Sequence, residues 1–136
     1  MPDQKSPKLT PLETLIMDVL WEHAPAGVRQ VQERLEKLKP MAYNTVLTMM
    51  RILREKGFLT SERVGRIDVY SPVVSREQVG KHSLRELLTS FFYDSPGELV
   101  SRLIDAEEIS EEELKSMRRE IDRKLRSQAS EKGGAK

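Results

Sequence analysis

Residues 42–74 read AYNTVLTMMRILREKGFLTSERVGRIDVYSPVV, and two hydrophobic periods meet inside that stretch. In its first part Val46, Met49, Met50 and Leu53 recur at spacings of three and four, the pattern of a helix with one buried face. This predicts a helix over about Ala42–Lys56. Gly57 follows as a residue without a Cβ, suited to the left-handed turn that closes a helix. From Phe58 the pattern becomes β-rich. Phe58–Val64 and Ile67–Val73 flank Gly65-Arg66, which predicts an antiparallel hairpin with a glycine in its link.

Upstream, Thr10-Pro11-Leu12-Glu13 reads as a helix start. Thr10 caps, Pro11 stands where no N–H is needed, and Glu13 completes a capping box. Leu12, Leu15, Ile16, Val19 and Leu20 form the apolar face, Trp21 extends it, and Ala24-Pro25-Ala26-Gly27 ends the helix. Val28, Val31, Leu35 and Leu38 predict a second helix over Val28–Lys39, broken by Pro40 because proline disfavours helical backbone in the residue before it. Residues 1–8 are polar and expected to be disordered. Three helices and a hairpin over residues 9–74 are the order of a winged helix-turn-helix domain.

Downstream, Ser75-Arg76-Glu77-Gln78 repeats the capping-box pattern and opens a helix carrying Val79, Leu84, Leu87, Leu88, Phe91 and Phe92. Asp94-Ser95-Pro96-Gly97 breaks it. A shorter helix with Leu99, Val100, Leu103 and Ile104 follows. Ser110 and Glu111–Glu113 begin the last, placing acidic residues at the positive end of the helix dipole. Its apolar residues Leu114, Met117, Ile121 and Leu125 form a narrow stripe of coiled-coil type. Residues 127–136 are small and polar and are expected to be a disordered tail. The fold class is therefore mainly α with a small β-hairpin, a winged helix-turn-helix plus a C-terminal helical dimerisation region over residues 75–126. The stripes in that region are too narrow to form a core of their own. Leu87, Leu88, Phe91, Leu99, Leu103, Leu114, Met117, Ile121 and Leu125 are the candidate contacts of a homodimer. The alternative is that these helices fold back on the winged domain in a monomer.

Composition bounds the function. The chain has 136 residues, 33% charged and only 5% aromatic, with a net charge of +1, so it is not a polybasic nucleic-acid binder as a whole. Basic charge is local instead. Arg51, Arg54, Lys56, Arg63 and Arg66 face only Glu55 and Glu62 across residues 51–66, which on charge alone fits a phosphate-facing patch or an ordinary mixed surface. Cysteine is absent, which excludes disulfides and thiolate metal sites. Met1-Pro2-Asp3-Gln4-Lys5 has no signal-peptide character and no apolar run has transmembrane length. A cytoplasmic location without membrane insertion is expected, and no cofactor.

The helix at 42–56 has the two faces that DNA reading needs. Val46, Met50 and Leu53 turn inward, while Tyr43, Asn44, Thr45 and Thr48 cluster near its start with Arg51 one turn on. Asn can pair two-pronged with adenine, and Thr can meet a thymine methyl or a phosphate. The wing tip carries Arg63 and Arg66, placed to follow phosphates, and Arg29 stands at the start of the second helix, where backbone N–H groups also favour anions. The competing reading of the tip is charged protection of a sheet edge. A dimer doubles the contacts, and its two-fold axis predicts a palindromic operator on double-stranded DNA.

These residues resemble a known family. Leu9-Thr10-Pro11-Leu12-Glu13 with Met17-Asp18-Val19-Leu20-Trp21 is similar to the opening helix of the penicillinase repressor family (BlaI/MecI type). So are Ala42–Thr48, Arg54-Glu55-Lys56-Gly57-Phe58-Leu59, and Arg66 through Tyr70-Ser71-Pro72. The similarity runs over about residues 9–126. It implies a dimeric repressor on a palindromic operator, with Tyr43, Asn44, Thr45 and Thr48 on the DNA face and Arg66 in the wing. It also implies an antibiotic response, in which a membrane-bound metalloprotease sensor of β-lactams leads to cutting of the repressor in its dimerisation region. The cut in the best-known relatives falls between an Asn and a Phe on a helix matching Leu99–Ile104. Here that candidate cleavage region reads Arg102-Leu103. Copper-responsive relatives carry a C-terminal cysteine cluster, which this chain lacks.

Catalytic signatures are missing. His23 and His82 stand apart, and no metalloprotease, nucleophile-elbow, phosphate-loop or dinucleotide motif occurs, so no enzyme is expected. Two other functions remain open at this level: a winged helix used for protein interaction, and a regulator gated by a small ligand.

Overall fold

A computed structural model describes residues 8–134. The expectation for residues 1–8 therefore lies, apart from Lys8, outside the described residues. The first helix, α1 (Pro11–His23), starts as its cap residues dictate. The Glu13 N–H donates to Thr10 Oγ1 at 3.2 Å and the Thr10 N–H donates to Glu13 Oε1 at 2.9 Å. α2 (Val28–Leu35) is a turn shorter than the apolar spacing predicts. The N–H groups of Leu38 and Lys39 both donate to the Leu35 carbonyl, and Leu38 is 69% exposed. The chain unwinds ahead of Pro40, so Leu38 leaves the stripe it continues in sequence. α3 (Tyr43–Glu55) follows. Gly57 (φ +92°) takes the left-handed conformation at its end.

The antiparallel hairpin joins β1 (Leu59–Val64) to β2 (Ile67–Pro72), with Val64 opposite Ile67 and Leu59 opposite Pro72. Gly65 (φ +65°) and Arg66 make the link, and a Cβ-bearing residue at 65 would be strained there. The hairpin is tied to the helices by Ala26, whose N–H donates to the Tyr70 carbonyl at 3.1 Å while the Tyr70 N–H donates back at 2.8 Å. Gly27 lies close against the second strand. A Cβ there would lie 3.3 Å from Ile67 Cδ1 and 3.5 Å from the Asp68 carbonyl oxygen.

One core serves all five elements. Ile16, Met17 and Leu20 of α1, Val31 and Leu35 of α2, Val46, Met50 and Leu53 of α3, and Phe58, Leu59 and Tyr70 from the hairpin region are buried together. Each fully buried aliphatic side chain contributes roughly 1.5–3 kcal/mol. Two polar links reinforce the packing. The Trp21 indole N–H donates to the Val74 carbonyl at 2.9 Å, and the ammonium of Lys56 lies 2.9 Å from the carboxylate of Glu13, a residue only 4% exposed. The second link joins the start of α1 to the end of α3. The winged helix predicted over these elements is the fold observed.

α4 (Arg76–Phe91) begins at the Ser75–Gln78 capping box, with the Gln78 N–H 3.0 Å from Ser75 Oγ. The chain divides into compact units at Glu86/Leu87. The second unit contains the end of α4, then α5 (Pro96–Ala106) and α6 (Glu111–Gly134). Ser95 and Ser110 cap the latter two through the Glu98 and Glu113 N–H groups. α6 runs past Ser127, where the sequence reading ends the ordered chain. Gln128, Ala129, Glu131 and Lys132 are good helix formers with no proline among them, and the pair Gly133-Gly134 comes only at its end. No helix among the described residues is long and apolar enough to cross a membrane.

Candidate nucleic-acid interface

The geometry of α3 follows from its two faces. Val46, Met50 and Leu53 are fully buried and fix its rotation. That rotation leaves Asn44, Thr45, Thr48 and Arg51 exposed. Asn44, Thr48 and Arg51 lie along one outward line at helical spacing, with Thr45 to one side. Ala42 caps α3 without a side-chain hydrogen bond, so the first turn keeps N–H groups unbonded within the helix, beside the polar cluster.

Arg29, Tyr43, Arg51, Arg63 and Arg66 line one open groove of about 440 Å³, walled by the start of α2, one side of α3 and the wing. Five residues singled out from the sequence are thus brought together from three elements. Asn44, Thr45 and Thr48 are outside the groove lining, on the exposed side of α3. The Arg29 guanidinium stands 5.1 Å from the Tyr43 ring centroid, a cation–π contact that links the start of α2 to the start of α3. Arg66, at the hairpin link, is exposed and makes no hydrogen bond or ion pair with another described residue. Arg63 is engaged. Its Nη1 donates to Asp68 Oδ1 at 3.2 Å across the hairpin, where the two residues are register partners.

Several contacts that shape this face are absent from the sequence reading. Gln30 lines the groove and accepts the Gly27 N–H at 2.8 Å, so it holds the start of α2 rather than facing outward unbound. Arg54 donates to Ser61 Oγ at 2.7 Å and lies 5.7 Å over the Tyr70 ring, bracing the wing against α3. The Tyr70 hydroxyl is buried with no partner among the described residues. Asp68 is the one carboxylate of the groove lining. It was legible in principle, because a two-residue link forces the pairing of 63 with 68.

The candidate dimer residues are placed differently. In α4 and α5 no side chain is buried. Leu87, Phe91, Leu103, Leu114, Ile121 and Leu125 are exposed, Phe91 to 72%, while Leu88, Leu99 and Met117 are half-buried. Arg102 and Leu103 lie inside α5, with Arg102 Nε donating to Glu98 Oε2 at 3.0 Å.

The family model described as penicillinase repressor matches residues 9–123. The chain is similar to the penicillinase repressor of Bacillus licheniformis, 25% identical over 114 residues, covering 84% of this chain and 89% of that protein. It is also similar to the transcriptional regulator BlaI of Mycobacterium tuberculosis, 37% identical over 76 residues and 55% of each chain. A solution structure of the DNA-binding domain of the repressor BlaI aligns with 52% of this chain and 87% of that one, at 30% identity and a TM-score of 0.48. The chain belongs to the penicillinase repressor family, a family of transcriptional repressors and not of enzymes.

Proposed function

We propose that this chain represses transcription as a homodimer bound to a palindromic operator. The observation that carries the reading is the single groove in which Arg29, Arg51 and Arg66 flank the exposed polar side of α3. α3 enters the major groove, Asn44 and Thr48 meet base edges, and Thr45 and Tyr43 meet base or backbone. Arg29, Arg51 and Arg66 neutralise phosphates. The Tyr43 ring holds Arg29 at the α2 start, where helix N–H groups add to its attraction for a phosphate oxygen. Arg63 lines the same groove with its guanidinium already engaged by Asp68.

Dimerisation is supported by the exposed apolar side chains of the second unit. Ile121 and Leu125, 55% and 58% exposed, continue the narrow stripe of α6, and a stripe of that kind marks a contact surface. Domain roles follow: residues 9–74 read DNA and residues 75–126 pair the protomers. Release of the operator through a membrane-bound metalloprotease in a β-lactam response rests on family membership alone. At the matching position the Arg102-Leu103 bond is within α5, so cutting there requires that helix to unwind locally.

Titration of labelled duplex DNA at several salt concentrations, with sedimentation of the free protein, tests the reading. The expected result is a dimer whose affinity falls steeply with salt, in proportion to the phosphates neutralised. A protein that binds no duplex at low salt refutes it.

A further inference from the structure

Four arginines line the groove, and Asp68 is the single carboxylate among its lining residues. The side chain of Asp68 is 41% exposed and that of Arg63 is 66% exposed, so both are open to solvent at the groove. The hairpin pairs them. The link Gly65-Arg66 sets Val64 opposite Ile67 and therefore Arg63 opposite Asp68, with Nη1 and Oδ1 3.2 Å apart. Asp68 is also held from the other side. Its carbonyl oxygen lies within 3.5 Å of where a Cβ on Gly27 would stand, so the backbone at 68 is packed against the start of α2. The carboxylate thus springs from a packed backbone and meets Arg63 at the basic groove.

We propose that Asp68 is an attenuator of DNA affinity: it occupies the Arg63 guanidinium in place of a phosphate, so that the pair adds no net charge to the DNA-facing groove. This rests on the DNA-binding reading above and refines it. The consequence is selective. Non-specific affinity comes almost wholly from phosphate neutralisation, so silencing one arginine weakens attachment to any duplex while leaving the base-facing Asn44 and Thr48 untouched. The wing then relies on Arg66 for its phosphate contact, with Arg63 serving to hold the hairpin and cancel Asp68.

The test compares the wild type, Asp68→Asn, Arg63→Ala and the double variant on a fluorescein-labelled duplex of arbitrary sequence, with circular dichroism to verify folding. Asp68→Asn frees one guanidinium. Its salt slope should steepen by about 0.9, so its gain in affinity over wild type should shrink about 3.5-fold between 50 and 200 mM salt. Arg63→Ala exposes an unpaired carboxylate and should weaken binding. The double variant should return to wild-type affinity and slope, because the two charges cancel. If Arg63 instead reaches a phosphate in the complex, the double variant will remain weak, with a slope shallower than wild type by about 0.9, and the proposal falls. It falls equally if Asp68→Asn binds no more tightly than wild type. A wild type that binds no duplex at low salt overturns the DNA-binding reading itself, and this inference with it.

Discussion

Replacing Lys56 by methionine should destabilise the winged domain by about 3 kcal/mol, at the low end of the roughly 3–5 kcal/mol for leaving one member of a buried ion pair alone. Glu13 is 4% exposed, and its carboxylate accepts from Lys56 Nζ at 2.9 and 3.0 Å and from the Thr10 N–H at 2.9 Å. After Lys56→Met only the Thr10 N–H remains of these partners, with little access for water. The low end applies because the Lys56 side chain is 31% exposed, so water can enter from that side. For a unit of this size the loss corresponds to a fall in melting temperature on the order of 10–20 °C. Glu13→Gln should cost less. The amide can still accept from Thr10, and the ammonium remains hydrated and bonded to the Lys8 carbonyl. The double variant should recover most of the loss, since no buried charge is then unpaired. Urea unfolding at fixed protein concentration, followed by the fluorescence of Trp21, reads the effect. This is the one tryptophan of the chain, and its indole N–H is bonded to Val74. A loss under about 1 kcal/mol, or a double variant no better than Lys56→Met, would refute the assignment of this pair as a buried tie between α1 and α3.

Three further outcomes are expected. Thr48→Ala should weaken operator binding more than binding to arbitrary duplex, by about 1–3 kcal/mol if it removes a base contact; equal losses on both would count against base reading. Arg66→Ala should weaken both and flatten the salt slope by about 0.9, and an unchanged slope would remove the wing tip from the phosphate contacts. A chain ending at Asp94 lacks α5 and α6 and should sediment as a folded monomer that binds DNA poorly, whereas a truncated protein that still dimerises would displace the dimer contacts from the second unit.

The elements legible in the sequence are those whose causes are local. Thr10 with Glu13 and Ser75 with Gln78 each close within four residues, and both capping boxes form where the pattern places them. The period change at Gly57 and the link at Gly65 likewise need no distant partner. The buried stripe of α3 sets its exposed side, so the polar cluster at its start is legible from spacing alone. What stayed hidden depends on residues far apart in the chain. Glu13 looked like a cap residue alone, yet it also pairs with a lysine 43 positions away. Trp21 meets Val74 across 53 positions, and Ala26 bonds the wing at Tyr70. Leu38 fits the helical spacing but is lost to the unwinding before Pro40, a backbone effect that overrides periodicity. Arg63 reads as a wing cation from its charge alone, whereas its partner Asp68 follows from the hairpin register.

The central claim is that an exposed α3 face, duplicated by a two-fold axis, reads a palindrome. The most direct measurement is recovery and sequencing of genomic fragments bound by the purified full chain at physiological salt. The account predicts enrichment of one motif made of two inverted half-sites, weakened with Thr48→Ala and lost with the chain ending at Asp94. Recovery of fragments without a shared motif, or of a motif with a single unrepeated half, would contradict it.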